Sequence, residues 1–247
     1  MHSLMKYQSE FDYANFGTHD VDEPLSLTFA NNEIQISKTN TNQFQYMRIS
    51  SDSHIRHALD VGDDVKIHIC PMLPLNVPEP ITSLLYLDLQ NPILVGKSVS
   101  AEISLKCPIE IGVFAKTPKE DVLVDSFSCD PLLSKFALYG LPTDGDFCKY
   151  SKIDDKEKIK PYHHAVVNVK IKNNLDHAVK VGKIVFDASS QNVYYSNNKI
   201  IVDSISMEIN DEKHATLTVS PCSDNLEKSL RTVPEKSQPF VMDSGYD

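Results

Sequence analysis

Tryptophan is missing from this chain of 247 residues, and glycine contributes only 8 of them. Without tryptophan the Cys…Trp…Cys pin of antibody-type domains cannot form, and a carbohydrate-binding role lacks its best stacking ring. There are five cysteines, and the nearest two, Cys129 and Cys148, stand 19 positions apart. That spacing excludes Cys-x-x-Cys zinc knuckles and thioredoxin-type motifs, and the odd number reads as buried free thiols in a reducing compartment. No apolar run approaches the roughly 18 residues of a membrane span. The N-terminus, "MHSLMKYQSEFDYANF", lacks the apolar core and small-residue cleavage site of a signal peptide. Basic residues are in deficit, 24 against 34 acidic, for a net charge of −10. A phosphate-backbone binder needs the opposite balance. The expectation is a cytoplasmic protein with no nucleic-acid partner, no membrane insertion and no cofactor.

What the chain does have is period-two alternation, the mark of strands with one buried face. Val99, Ala101, Ile103 and Leu105 alternate with polar residues; Ala165, Val167, Val169 and Ile171 alternate with Val166, Asn168, Lys170 and Lys172; and Ile201, Ile205, Met207 and Ile209 share a face with Asp203 as the interruption. Val65–Ile69 and Leu84–Leu89 repeat the pattern, with His68 in the solvent-facing register. Further strands are predicted over 25–30, 33–37, 43–49, 109–115, 121–127, 133–139, 179–187 and 213–219. Around Gly182 the apolar register shifts, which predicts a β-bulge. The run Cys70–Pro80 holds four of the 14 prolines and must be an extended connection or sheet edge. One helix is predicted, over 225–233, with Asp224 as N-cap. The sequence beyond it, "PEKSQPFVMDSGYD", reads as a frayed tail, and Lys152–Lys160 as a solvated, mobile loop.

This pattern predicts an all-β fold of two antiparallel sandwich-like units with little helix. The first spans 1–107 and the second, immunoglobulin-like, 108–220; a short helix and tail occupy 221–247. A single core shared by both halves fits the alternation equally well.

Several stretches invite a chemical reading. Gly140-x-x-x-x-Gly145 is the skeleton of a phosphate loop, but Asp146 stands where the lysine must be and no helical pattern follows. Turn chemistry through "Pro142-Thr143-Asp144-Gly145" explains the stretch instead. Cys148 beside Lys149 suggests an activated thiol, yet strand neighbours point to opposite faces. The same alternation stops His163 and His164 from sharing one metal ion, leaving one half-buried, in register with Ala165, and one exposed. His54-x-x-His57 would suit a helix face but lacks a third ligand, and no metal site is assigned. Glu110, in "PIEIGVF", shares a face with Gly112 and Phe114, where it lines a groove, pairs across units or faces water; Asp187 closes the run "KIVFD" in a similar way. Candidate ligand or interface residues are therefore Glu110, Tyr139, Gly140, Gly145, Cys148, Lys149, Tyr150 and Asp187. No nucleophile–base pair or second carboxylate accompanies them at a telling spacing. The leading reading is a non-enzymatic binding or assembly module, engaging a protein partner or a second copy, its small-molecule ligand unknown. The alternatives are a small-molecule enzyme with a site assembled around Cys148 and Glu110, and a carbohydrate-binding module.

The strings "PMLPLNVPEPIT", "PIEIGVF", "KFALYGLPTDGDFCKY" and "VVNVKIKNNLDHAVKVGKIVFDASSQNVYY" occur in that order. Together they resemble the archaeal family catalogued as "domain of unknown function 432", from about Phe16 to about Leu217. The segment Leu138–Tyr150 is the most specific part. The resemblance implies an archaeal cytosolic protein of this length and no known activity. The polar tail after about Leu230 exceeds what that family's core needs.

Overall fold

A computed structural model describes residues 12–40, 42–51, 53–60, 65–78, 80–130, 135–154, 158–232 and 242–247. Its strands form four sheets. One is antiparallel, in the order β1 (Gly17–Asp20), β6 (Lys66–Met72), β9 (Glu110–Lys116), β10 (Asp121–Phe127). A second is the meander β2 (Leu25–Phe29), β3 (Asn32–Asn40), β4 (Gln43–Ile49), β5 (His54–Asp60). The third runs β11 (Phe136–Tyr139), β12 (Asp146–Ile153), β7 (Leu84–Val95), β14 (Val179–Asp187). The fourth centres on β13 (His164–Asn173), flanked by β16 (Lys199–Val202), β17 (Ser204–Ile209) and β8 (Ser100–Pro108). β16 and β17 share the edge of β13 opposite β8; beyond β17 the sheet continues through β18 (Ala215–Ser220), and beyond β16 through β15 (Val193–Ser196) and β19 (Glu227–Lys228).

The protein is all-β, as the alternation requires, but its sheets are not wholly antiparallel. β12 runs parallel to β7, and β13 parallel to both β16 and β17. Alternation reports which side chains are buried and is silent on the direction of the neighbouring strand. Pairing also crosses residue 108 repeatedly: β6 with β9, β7 with β12 and β14, β8 with β13. The proline-rich connector carries the chain from the first sheet to the third. Pro71 sits in β6 opposite Ile111, past the last residue that β1 pairs, where no N–H is required on the open side.

Several expectations are corrected. Residues 225–232 are not helical: Glu227–Lys228 add a short strand to β15, and the Asp224 carboxylate accepts from Lys199 Nζ (2.6 Å) instead of capping a helix. A helix of nine residues is marginal alone, and an open sheet edge supplies competing backbone partners; residue 233 lies outside the described residues. The last six residues are docked, not frayed. Met242 and Tyr246 are buried, Met242 bridges Ala215, and the Gly182 and Lys183 amides donate to the Tyr246 carbonyl (2.8 and 3.2 Å). The predicted bulge at Gly182 is present, and it is the feature that frees those two amides to bind the C-terminal segment. Of the expected tail, 234–241 lie outside the described residues, as do 131–134 of the strand predicted at 133–139.

His68 is 3% exposed, not solvent-facing, because β6 and β9 are buried on both faces. Its ring bonds Thr18 Oγ1 (2.9 Å) and meets Tyr195 OH (3.5 Å). His164 is the buried member of its pair and His163 the half-buried one. Tyr162, at φ +63°, turns the chain just before β13 begins at His164, so the register set by Ala165 does not reach back to His163. His54 and His57 lie on a strand, three residues apart and so on opposite faces. In Lys152–Lys160, Ile153 and Ile159 are buried, and 155–157 lie outside the described residues.

Candidate functional site

Among the described residues, a dense polar centre in the core is built around Glu110. Its face of the first sheet, shared with Met72, is covered instead of solvated, so the carboxylate must find its partners inside the protein. They come from the connector after β6. Pro74, Pro78 and Pro80 offer no N–H; the Leu75 amide donates to the Leu73 carbonyl, and the Asn76 and Val77 amides converge on the carboxylate. Glu110 Oε2 accepts from the Asn76 amide (3.0 Å) and Asn76 Nδ2 (3.2 Å); Oε1 accepts from the Val77 amide (2.8 Å) and Lys149 Nζ (3.4 Å). Lys149 also donates to the Val77 carbonyl. The Lys149 and Glu110 side chains are 0% and 1% exposed.

Burial raises the Glu110 carboxyl above its ordinary range, and Lys149, with the Asn76 and Val77 donors, pulls it back. Burial likewise lowers Lys149, opposed by the charge of Glu110. A carboxylate has about four acceptor sites, and here four donors occupy them. The centre is an anchor between β9, β12 and the connector, with no lone pair left over for a general base. It extends through Asn76, whose Oδ1 accepts from Thr232 Oγ1 (2.7 Å), to the segment that follows β19.

The other candidates fall in two places. Asp187 closes β14 and caps the 3-10 turn Ala188–Ser190, accepting from the Ser189 amide (2.9 Å) and Oγ (2.7 Å). Tyr139, Gly140, Gly145, Cys148 and Tyr150 belong to the β11–β12 hairpin. The turn starts at Leu141 with Pro142 second; the Asp144 and Gly145 amides both donate to the Leu141 carbonyl (3.3 and 2.7 Å), which uses the donors a phosphate would need. Gly140 adopts φ +113°, open only to glycine, and a Cβ on Gly145 would stand 2.7 Å from the Leu141 carbonyl oxygen. Tyr139 accepts at its hydroxyl from the Ser244 amide and donates to the Gly245 carbonyl (2.9 Å), and Tyr86 stands edge-on to both Tyr139 and Tyr150. Tyr150 OH donates to Asp88.

Cys148 and Lys149 point to opposite faces of β12. The Cys148 thiol is fully buried, lies 3.5 Å from the Asp146 carbonyl, and is pushed up to about 12 by burial. Cys70 and Cys129 are also pushed up to about 12 and Cys107 further, all by burial. Thiolate is the reacting species, so native labelling between pH 7 and 8 should modify half-buried Cys222 first and leave the other four thiols to react only on unfolding. Fast modification of Cys148 in the folded protein would restore the activated-thiol reading.

The residues that sequence reasoning missed are Asn76 and Thr232 and, between the meander and the first sheet, a second buried pair. Arg48 Nε and Tyr46 OH both donate to Asp125 Oδ2 (2.7 Å each), and the guanidinium lies over Phe127, 4.8 Å from its centroid. Asn76 had a signal: it is the middle residue of the three-residue island of N–H donors between Pro74 and Pro78. Arg48 and Asp125, 77 positions apart, had none. Among the described residues no group of three or more His, Cys, Asp or Glu side chains could hold a metal ion, and no helix is long and apolar enough to cross a membrane.

No curated protein and no solved structure matches this chain. Residues 15–244 match the family model described as "Protein of unknown function (DUF432)", a span that takes in the Glu110–Lys149 centre, the β11–β12 hairpin and the docked C-terminal segment, and the chain therefore belongs to that family.

Proposed function

We propose that this protein is a non-enzymatic binding or assembly module, and that the surface it uses is the β11–β12 hairpin, docking against a second copy of the chain. The observation that carries this reading is a concentration of apolar surface. Of the eight most exposed large hydrophobic residues among those described, Leu138, Leu141 and Phe147 all lie on this one hairpin. Leu138 and Phe147 are cross-strand partners on one face, and Phe136 stacks on Phe147 with ring centroids 5.0 Å apart. Among the described residues β11 is also the end strand of its sheet, with one row of its backbone groups facing away from β12. An edge of this kind, apolar and short, is self-complementary about a two-fold axis. Scattered exposed apolar residues are ordinary, but a contiguous patch marks an interaction site. Salt screens the repulsion from the net charge of −10 beyond roughly 8 Å, so it opposes self-association only where charged groups come close.

The enzyme alternative is disfavoured by geometry. Cys148 faces away from Lys149, Lys149 is bound to Glu110, and the carboxylate is saturated. Sedimentation velocity over a concentration series separates the readings. The wild-type protein should dimerise, and Leu141→Lys combined with Phe147→Ser should weaken the dimer at least tenfold without altering the melting curve. A wild-type chain that stays monomeric to its solubility limit would sink the self-association proposal.

A further inference from the structure

Among the described residues, five buried side-chain polar atoms lack a hydrogen-bond partner of normal geometry: His164 Nδ1, Gln191 Nε2, Gln191 Oε1, Asn192 Oδ1 and Ser229 Oγ, the last of which also faces the Cys70 thiol. Buried polar atoms nearly always have partners, so this distribution is informative. Four of the five belong to three residues, and all three line one cavity of about 20 Å³. Its walls are the turn after β14, the connector at Leu73–Asn76, and the strap Ser229–Thr232 that follows β19. Gln191 is 3% exposed and Ser229 7% exposed, so bulk water does not serve them. The Asn192 amide has a fixed orientation. Its Nδ2 donates to Asp203 Oδ2 (2.8 Å), an acceptor only, which turns Oδ1 the other way.

We propose that this cavity is a binding site for one permanently held water molecule, which joins the Gln191 amide and Asn192 carbonyl to the Ser229 hydroxyl. Size and chemistry select the guest. A water needs about 10–15 Å³ of such space, so there is room for one and none for a metabolite. The guest must both donate, because Asn192 Oδ1 only accepts, and accept, because the amide and hydroxyl also carry donors. A bare cation fails the second requirement and a simple anion the first. The water's place in the fold is a joint. Direct bonds also hold the strap, among them the Ser229 amide on the Val193 carbonyl (2.9 Å), Thr232 Oγ1 on Asn76 (2.7 Å), and Arg231 Nη1 on the Ser189 carbonyl (3.1 Å). The water closes the gap between them, so the strap docks through a hydrated polar seam.

Oxygen-17 relaxation dispersion on the full chain counts long-lived internal waters in solution. The wild type should show one more than Gln191→Met, which fills the same length with an apolar chain. Ser229→Ala is the second variant, so that a failure of Gln191→Met to fold still leaves the comparison to be made. A high-resolution crystal structure of the wild type should show a single density peak within hydrogen-bond distance of Gln191 and Ser229. Equal water counts in folded variant and wild type would overturn the proposal. So would a cavity closed by direct pairing of these side chains, or density for a larger molecule.

Discussion

Replacing Lys149 with methionine should lower the unfolding free energy at neutral pH by about 3–5 kcal/mol, the usual cost of breaking a buried pair by removing one partner. The side chain is fully buried, so no water can take over its role. Two groups each lose a donor at once, the Glu110 carboxylate, which also loses its neutralising cation, and the Val77 carbonyl. Glu110 cannot relax toward solvent, because the Asn76 and Val77 amides hold it in place. Its carboxyl, already raised by burial, should rise further without the neighbouring cation. An acid whose folded value lies above its unfolded value contributes stability that is full below the unfolded value and lost as pH rises through the folded one. The variant's deficit should therefore be largest near neutral pH and shrink toward acid. Adding Glu110→Gln to Lys149→Met should cost little more, because the buried charge is then gone; contacting residues couple by about 0.5–3 kcal/mol. Urea titrations at several pH values would test this. A loss under about 1 kcal/mol would mean that the pair does not hold the connector to β12.

Deleting Met242–Asp247 should have an effect at least as large. Met242 is fully buried, and truncating a buried methionine to alanine alone costs about 2–5 kcal/mol. The hexapeptide also supplies the carbonyl that receives the Gly182 and Lys183 amides at the bulge, the carbonyl that receives the Ala215 amide, and both partners of the Tyr139 hydroxyl. Since whole domains have only about 5–15 kcal/mol of net stability, the shortened chain should melt far earlier, and the Tyr139 face of the third sheet, which includes Cys148, should open to thiol reagents. Met242→Ala provides the milder comparison. A truncated protein that melts within a few degrees of the full chain would show that the segment only rests on the surface.

Much of this fold was legible because a strand with one wet face writes its orientation into every second residue. β3, β13 and β17 read directly, and the bulge at Gly182 announced itself as a slipped register. The same logic failed at β6 and β9, where both faces are covered: His68 read as solvent-facing, and alternation could not decide whether Glu110 lines a groove, pairs across units or faces water. It failed again at Leu226–Leu230, whose helical spacing was outcompeted by an open strand edge. In the candidate site, the sequence pointed to Glu110 and Lys149 separately and gave no reason to join them. They are 39 positions apart, and a pairing across sheets leaves no local period.

By itself, then, the sequence determined an all-β chain with free buried thiols, a glycine turn at Leu141–Gly145 and a net negative charge. Those properties depend on residue type and near-neighbour spacing, which hydrophobic burial and backbone sterics read locally. Only the tertiary structure decided that β12 lies parallel to β7, that Glu110 meets Lys149, and that the last six residues are part of the core. Each of those rests on contacts between segments far apart in the chain, chosen because buried charges, bulge amides and apolar side chains must all find partners at once, and no single stretch of sequence states which partner that will be.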